Sequence, residues 1–195
     1  MRLITTPKIL RMFYPSFLWE MPKGEKKIYI TFDDGPHPTI TPQVLEILKN
    51  FNAKATFFCV GNNVKKYKET FELIKNEGHS VGSHTFNHER GFMTKTKDYV
   101  NSVIEADALI QSPLFRPPHG RIKFSQIKSL KKKFRISATV VMNLFLQCID
   151  LGQQLLRCLQ LRASAAPQSI YRQLQSRANS LIVFQKQRAA VLQKL

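Results

Sequence analysis

Hydrophobic and polar residues follow a strand period and then a helix period near the start of the chain. The segment 26–32 (KKIYITF) is rich in β-branched and aromatic residues, which predicts a strand that ends at two acidic residues. The segment 41–51 (TPQVLEILKNF) repeats apolar residues at helical spacing, with Thr41 as the expected N-cap and Pro42 at the first helical position. The pattern therefore predicts a strand followed by a helix.

The same alternation continues to residue 136. Further strands are predicted at 53–61 (AKATFFCVG, closed by Gly61), at 79–84 (HSVGSH) and at the start of 114–120 (LFRPPHG), which then turns. Further helices are predicted at 63–78 (NVKKYKETFELIKNEG, stopped by Gly78), at 96–110 (TKDYVNSVIEADALI) and within 125–136 (SQIKSLKKKFRI), whose last residues begin another strand. This order predicts an α/β fold with a parallel sheet, either open or closed into a barrel.

Several charged or ionisable residues fall where the predicted strands end. Asp33 and Asp34 follow the first strand, His84 ends the segment 79–84, and Arg116 follows a later strand. Reactive groups of parallel α/β folds gather at the carboxyl ends of the strands. We therefore expect these side chains to share one site.

The pattern changes after residue 136. Residues 137–195 contain one acidic residue, Asp150, one glycine, Gly152, and neither histidine nor tryptophan. We divide the chain into an N-terminal arm (1–25), a core (26–136) and an atypical tail rich in Gln, Leu and Arg. We hypothesise that the tail is a degenerate or frameshifted end of the same domain. Sequencing the gene across the junction would test this hypothesis.

Composition narrows the class of protein and of partner. A length of 195 residues with 43% hydrophobic and 22% charged content describes a globular domain that can bury a core. The formal net charge of +17 favours anionic partners, namely acidic glycans (for example an anionic cell-wall polymer), lipid headgroups or nucleic acid, although a solvated lysine-rich surface gives the same total. The sequence contains no recognisable nucleic-acid-binding module, so we expect no nucleic-acid partner, and we expect a monomer.

Cysteine content and the length of apolar segments indicate where in the cell the protein is expected. Cys59, Cys148 and Cys158 are too few and too scattered for a disulfide framework or a structural zinc site. Arg11 and Pro15 interrupt the first apolar run, so we expect no signal peptide, and no stretch approaches the length of a transmembrane span. The expected location is cytoplasmic or associated with the cell envelope.

Two histidines four residues apart are candidates for a metal site. In HTFNH, His84 and His88 can face one point from a helix or a tight loop, although this spacing also occurs in structural and surface histidines. A carboxylate from another strand end would complete three ligands and leave one position open, as catalytic zinc requires. A metal held in this way lowers the pKa of a bound water and polarises a carbonyl oxygen.

The adjacent acids Asp33 and Asp34 can then divide two tasks. Consecutive side chains of an extended strand point to opposite faces, so one carboxylate can hold the metal while the other acts as a general base. Arg116 can pair with the base through two hydrogen bonds.

Other interpretations of these residues exist. Taken alone, FDDG is explained equally well by a turn after a strand. A phosphoryl-accepting domain with paired aspartates would leave HTFNH and RPPHG unexplained. An iron oxygenase with two histidines and one aspartate fits the neighbouring base and arginine less well than a hydrolase does.

TFDDGP, HTFNH and FRPPHG, in this order and with these separations, resemble the first three motifs of the NodB-like polysaccharide deacetylases (carbohydrate esterase family four). The resemblance spans roughly residues 26–136, and AKATFFCVG and NEGHSVGSH match the family's strands between the motifs. It implies a distorted, incomplete (β/α) barrel and metal-dependent removal of acetyl groups from a glycan such as peptidoglycan or chitin. The metal would be a divalent cation, usually zinc.

Carried over position by position, the resemblance implies a role for each motif residue. Asp33 would be the general base, and Arg116 would orient it. The metal ligands would be Asp34, His84 and His88. Pro118, His119 and Gly120 would shape the acetate pocket, with His119 in the place where the family commonly has tyrosine. The backbone N–H at that position would help to stabilise the oxyanion.

The resemblance does not extend to the family's fourth and fifth motifs, an aspartate–tryptophan strand end and a leucine–histidine strand end. The segment 140–150 (VVMNLFLQCID) lies where the fourth belongs, and in 180–187 (SLIVFQKQ) Gln185 replaces the histidine that protonates the leaving amine. Glutamine is not a general acid at neutral pH, and such a group typically contributes about 10²–10⁴-fold to the rate. The alternative function is therefore a catalytically impaired relative that keeps the metal site and binds glycan.

Overall fold

A parallel sheet of six strands organises the part of the chain that the computed structural model describes, namely residue 12 and residues 14–19 and 29–137. The strands are β1 (Phe17–Leu18), β2 (Ile30–Gly35), β3 (Ala55–Cys59), β4 (Ser80–Ser83), β5 (Leu114–Phe115) and β6 (Arg135–Ser137). The helices are α1 (Ile40–Asn50), α2 (Gly61–Lys66), α3 (Lys68–Asn76), α4 (Thr96–Ile110) and α5 (Phe124–Leu130), and a 3₁₀ turn spans Pro118–Gly120.

The strand order explains where a site can form. The order is β1-β6-β5-β4-β3-β2, and every neighbouring pair is parallel, so the described sheet has two edges and is not closed. The predicted α/β fold with an incomplete barrel is confirmed, while the tail segments 140–150 and 180–187 lie outside the described residues. Since all strands run in one direction, the loops after β2, β3, β4 and β5 meet at one end of the sheet.

Apolar side chains from strands and helices form the core. β3 is buried along most of its length, as expected for an inner parallel strand covered on both faces. One buried cluster joins the sheet to α4 and α5 and consists of Tyr99, Val103, Phe115, Ile122, Ile127, Leu130, Phe134 and Ile136. The helices α1 and α3 bury Leu45, Leu48, Phe71 and Ile74.

The helices confirm some predicted bounds and correct others. The helix predicted at 96–110 is α4. The helix predicted at 63–78 is instead two helices, because Tyr67 lies between α2 and α3 with φ −122° and ψ 54°. No proline or glycine marks this break in the sequence. α1 begins at Ile40, so Thr41 lies in its first turn and is not its N-cap. Within the described segments, no helix combines the length and apolarity needed to cross a membrane.

Gly61 begins α2 and does not close β3 as predicted. Its N–H donates to the carbonyl oxygen of Thr85 over 2.9 Å. A Cβ at this position would lie 2.6 Å from Cδ2 of Phe86 and 3.0 Å from Cα of Ala106. The missing side chain therefore lets α2 approach both α4 and the loop that carries His84.

The N-terminal segment supplies an edge of the sheet. In β1, Phe17 pairs with Ile136 and Leu18 pairs with Ser137. Tyr14 stacks on Phe124, with ring centroids 5.1 Å apart. Residues that we placed in the arm 1–25 thus form a strand beside β6.

Candidate active site

The two adjacent acids occupy different backbone conformations at the end of β2. Asp33 pairs with Phe58 in the ladder, but the register then shifts so that Gly35 pairs with Cys59 and Asp34 is left between them. Asp34 has a φ of 70°, a left-handed conformation that aspartate tolerates better than most residues. The carboxylates are therefore separated by a bulge, which corrects our expectation of simple alternation along an extended strand.

A hydrogen bond from α2 stabilises the bulge at Asp34. Nδ2 of Asn63, in α2, donates to the main-chain carbonyl oxygen of Asp34 over 2.8 Å. The side chain of Asp34 is 66% exposed, so its carboxylate is open to solvent on one side.

Asp34, His84 and His88 come together as a three-residue cluster. Nε2 of His84 lies 3.4 Å from Oδ1 of Asp34, and Nε2 of His88 lies 3.1 Å from the same oxygen. The three candidate ligand atoms all lie within 4.8 Å of one another. Both histidines belong to the loop that follows β4, not to a helix, and His88 has a φ of 60°.

A main-chain contact fixes the orientation of His84. Its Nδ1 lies 2.7 Å from the carbonyl oxygen of Arg116, which can only accept a hydrogen bond, so Nδ1 carries the proton. Nε2 therefore presents its lone pair to the cluster, as in many metal-ligating histidines. Burial lowers the pKa of His84 below its usual value although Asp33 and Asp34 oppose this, and the imidazole stays in the neutral form that binds metal.

Asp34 and His88 shift each other's pKa. The hydrogen bond that Nε2 of His88 donates to the carboxylate of Asp34 raises the pKa of His88, with burial acting against it. Burial raises the pKa of Asp34, but the hydrogen bond to His88 and the nearby imidazoles outweigh it, so that the pKa lies below its usual value. These donors fit a divalent cation, which would replace the proton that His88 shares with Asp34.

Arg116 connects β5 to the first acid. Its Nη1 donates to Oδ1 of Asp33 over 2.7 Å and to Oγ1 of Thr31 over 2.9 Å. The guanidinium lies over the ring of Phe58 at 3.9 Å, and Nη2 is 3.4 Å from Oγ of Ser137. We predicted two hydrogen bonds between Arg116 and the carboxylate. That prediction is wrong, because the structure shows one such bond. Nη1 also donates to Thr31, two residues before Asp33 on the same strand face, Nη2 lies near Ser137, and the buried Nε has no hydrogen-bond partner among the described residues.

The turn Pro118–Gly120 lies next to the histidine cluster. His119 has a φ of 57° and an exposed side chain, whose ring centroid is 4.7 Å from that of His88. Pro118 is buried and Gly120 is exposed. The structure thus brings the turn to the cluster, and its role in an acetate pocket stays a prediction.

Glu89 is a part of this site that sequence reasoning missed. Its N–H donates to Oγ1 of Thr85 over 3.1 Å, and its Oε2 accepts from the N–H of Asn87 over 3.2 Å. Burial raises the pKa of Glu89, but hydrogen bonds from the hydroxyls of Ser102 and Thr85 and from backbone N–H groups bring it below its usual value. Glu89 therefore ties together the loop between His84 and His88. Its position directly after HTFNH was the only signal, since Ser102 lies in α4.

Family comparison places this chain in a known class. The sequence profile of the polysaccharide deacetylase family matches residues 20–134, which is more than half of the chain. The chain therefore belongs to the polysaccharide deacetylase family, as the resemblance of its first three motifs predicted.

Individual relatives agree with that assignment. A peptidoglycan-N-acetylglucosamine deacetylase of Bacillus cereus is 40% identical over 119 residues, which cover 58% of this chain and 56% of the relative. The crystal structure of the Bc1960 peptidoglycan N-acetylglucosamine deacetylase superposes with a TM-score of 0.63 and 32% identity, covering 68% of this chain and 64% of that one. The peptidoglycan deacetylase PdaC of Bacillus subtilis superposes with a TM-score of 0.55 and 31% identity, covering 60% and 59%. The chain spans little more than half the length of that curated relative from Bacillus cereus.

Proposed function

We propose that this protein is a metal-dependent hydrolase that removes acetyl groups from an N-acetylated polysaccharide of the peptidoglycan or chitin type. The observation that carries the proposal is the placement of the Asp33–Arg116 pair beside the cluster of Asp34, His84 and His88. Relatives named as peptidoglycan and chitooligosaccharide deacetylases support the substrate class. A substrate of the peptidoglycan type would place the activity at the cell envelope.

Asp34, His84 and His88 would hold the cation, and zinc is the metal that best suits two imidazoles and one carboxylate with an open position. When bound, the cation would polarise the acetyl carbonyl group and acidify the attacking water. The contact between His84 and the carbonyl oxygen of Arg116 keeps this ligand in position before any cation arrives.

Asp33 is the proposed general base. Arg116 holds Oδ1 at 2.7 Å, which leaves Oδ2 to take the proton of the attacking water. Water adds its oxygen to the carbonyl carbon, the carbon–nitrogen bond breaks, and acetate leaves as the amine takes up a proton from solvent, to which Asp33 returns the proton that it accepted. The main-chain N–H of His119 would donate to the oxyanion, and Pro118 and Gly120 would shape the surrounding acetate pocket.

A second candidate function is glycan binding with weak turnover. The sequence has no histidine after His119, so the tail offers no counterpart of the histidine that protonates the leaving amine in the family. Gln185 lies outside the described residues. Without that acid the amide would be cleaved about 10²–10⁴-fold more slowly.

Acetate release decides between the two functions. Purified protein with added zinc would be incubated with N-acetylglucosamine oligomers, and free acetate would be measured for the wild type and for Asp33→Asn. We expect release by the wild type and a strong loss in the variant. Equal activity of the two proteins would contradict the proposed base, and glycan binding without acetate release would favour the second function.

A further inference from the structure

A cleft opens beside the metal-ligand cluster. Its volume is about 250 Å³, and it is lined by Asp34, Val60, Asn62, Asn63, Asn87 and His88. Because Asp34 and His88 form part of its wall, a molecule in the cleft would adjoin the metal position. The turn Pro118–Gly120 is not part of the cleft wall, although the ring of His119 packs against that of His88.

Three of the six side chains that line the cleft are carboxamides, and one of the three forms a hydrogen bond within the protein. Nδ2 of Asn63 donates to the carbonyl oxygen of Asp34. The side chains of Asn62 and Asn87 form no hydrogen bond with any residue that the structure describes. Asn62 is half-buried and Asn87 is exposed, so both amides are accessible.

The main chain fixes both of these asparagines in place. The N–H of Asn62 donates to the carbonyl oxygen of Phe86 over 2.8 Å, which joins the start of α2 to the loop after β4. The N–H of Asn87 donates to Oε2 of Glu89 over 3.2 Å. The backbones of the two asparagines are therefore held close to each other at the wall of one cleft. A ligand that contacts both carboxamides would need little rearrangement of the main chain.

The chemistry of the wall selects a neutral, polyhydroxylated ligand. A carboxamide offers two N–H donors and a carbonyl acceptor without net charge, which matches the hydroxyl and acetamido groups of a sugar ring. Asp34 and His88, the candidate metal ligands, are the ionisable side chains in the cleft wall. The cleft is open to solvent, and its volume of about 250 Å³ can receive one ring of a glycan chain while the rest of the chain extends outside it.

We propose that Asn62 and Asn87 form a subsite that binds a neutral sugar residue of the glycan chain beside the metal centre. This subsite rests on the glycan specificity proposed above and adds residues that determine it. Each asparagine would contribute hydrogen bonds to the sugar through its carboxamide, and Asn63 would keep its structural contact with Asp34.

Calorimetric titration of the zinc-loaded protein with tetra-N-acetylchitotetraose tests the subsite without requiring turnover. We expect Asn62→Ala and Asn87→Ala each to weaken binding about fivefold, and the double variant about 20-fold, as for lost neutral hydrogen bonds. Asn101→Ala, at an exposed position of α4, is the matched control and should bind as the wild type does. Zinc content is measured for every variant.

The outcomes separate this proposal from the proposed function. Weaker tetrasaccharide binding with unchanged zinc content supports the subsite, even if the wild type releases no acetate and the deacetylase function fails. Unchanged affinity in the double variant overturns it, as does a wild type that binds no tetrasaccharide. Loss of zinc in parallel with loss of sugar binding also overturns it, because the asparagines would then act on the metal centre.

Discussion

Nδ1 of His84 donates to the main-chain carbonyl oxygen of Arg116 at 2.7 Å, while the side chain of Arg116 holds Asp33. One residue thus positions a candidate metal ligand through its backbone and the candidate base through its guanidinium. Metal binding and proton transfer should therefore respond differently to substitution of the Arg116 side chain.

Arg116→Lys should separate the two roles. Lysine keeps the positive charge but cannot reproduce the contacts of the guanidinium with Asp33, Thr31 and Ser137 together. We expect kcat for acetate release to fall about 10²-fold, as for a misplaced catalytic group, with zinc affinity within about twofold of the wild type. His84→Ala is the matched control and should lose zinc. A parallel loss of zinc in Arg116→Lys would contradict the division of roles.

Zinc affinity should depend on pH through His88. The hydrogen bond that His88 donates to Asp34 raises the pKa of His88, so this imidazole is protonated to a higher pH than an ordinary histidine, whose pKa is about 6.5. A protonated imidazole cannot ligate, so affinity should be full above the raised pKa and should fall as the pH drops through it. Zinc titrations in buffers with different ionisation enthalpies should show proton release near pH 6.5. Affinity that is constant from pH 6 to 8 would contradict the shared proton.

Glu89→Gln should loosen the loop that carries the histidines. The loop holds positive φ angles of 65° at Thr85 and 60° at His88. The carboxylate of Glu89 accepts hydrogen bonds from the N–H of Asn87 and from the hydroxyls of Ser102 and Thr85. We expect zinc affinity to fall about tenfold, the lower end for residues that support metal ligands. Glu105→Gln, at an exposed position of α4, is the control. Unchanged zinc affinity together with a lower free energy of unfolding would show that Glu89 stabilises the fold but does not support the metal ligands.

The sequence was sufficient to predict which residues meet, because that depends on topology. The alternation of strands and helices places Asp34, His84 and Arg116 at the carboxyl ends of parallel strands. These positions do not depend on the contacts that the side chains then form. The short spacing in HTFNH keeps His88 within reach of His84.

The details of the site could not be predicted because they depend on contacts between distant segments. The bulge at Asp34 arises from a register shift against β3 and from the amide of Asn63 in α2. Thr31 shares Nη1 of Arg116 although β3 and β4 lie between β2 and β5 in the sheet. Periodicity along one segment contains no information about such partners, and the same holds for the pairing of β1 with β6.

His79 should make stability depend on pH away from the site. Its Nδ1 accepts a hydrogen bond from the N–H of Ala55 over 3.2 Å, and its side chain is 2% exposed. Burial and the charge of Lys54 lower the pKa of His79, against the opposing effect of Glu77. The folded protein therefore binds this proton less readily than the unfolded chain, whose histidine pKa is about 6.5. The contribution of His79 to the free energy of unfolding should be full above that pH and should fall as the pH drops below it. The slope is at most that of one proton, about 1.4 kcal/mol per pH unit.

Urea unfolding between pH 5 and 7.5 tests this role of His79. The free energy of unfolding of the wild type should exceed that of His79→Gln at high pH, and the difference should shrink as the pH falls. A difference that stays constant would show that His79 does not titrate in this way.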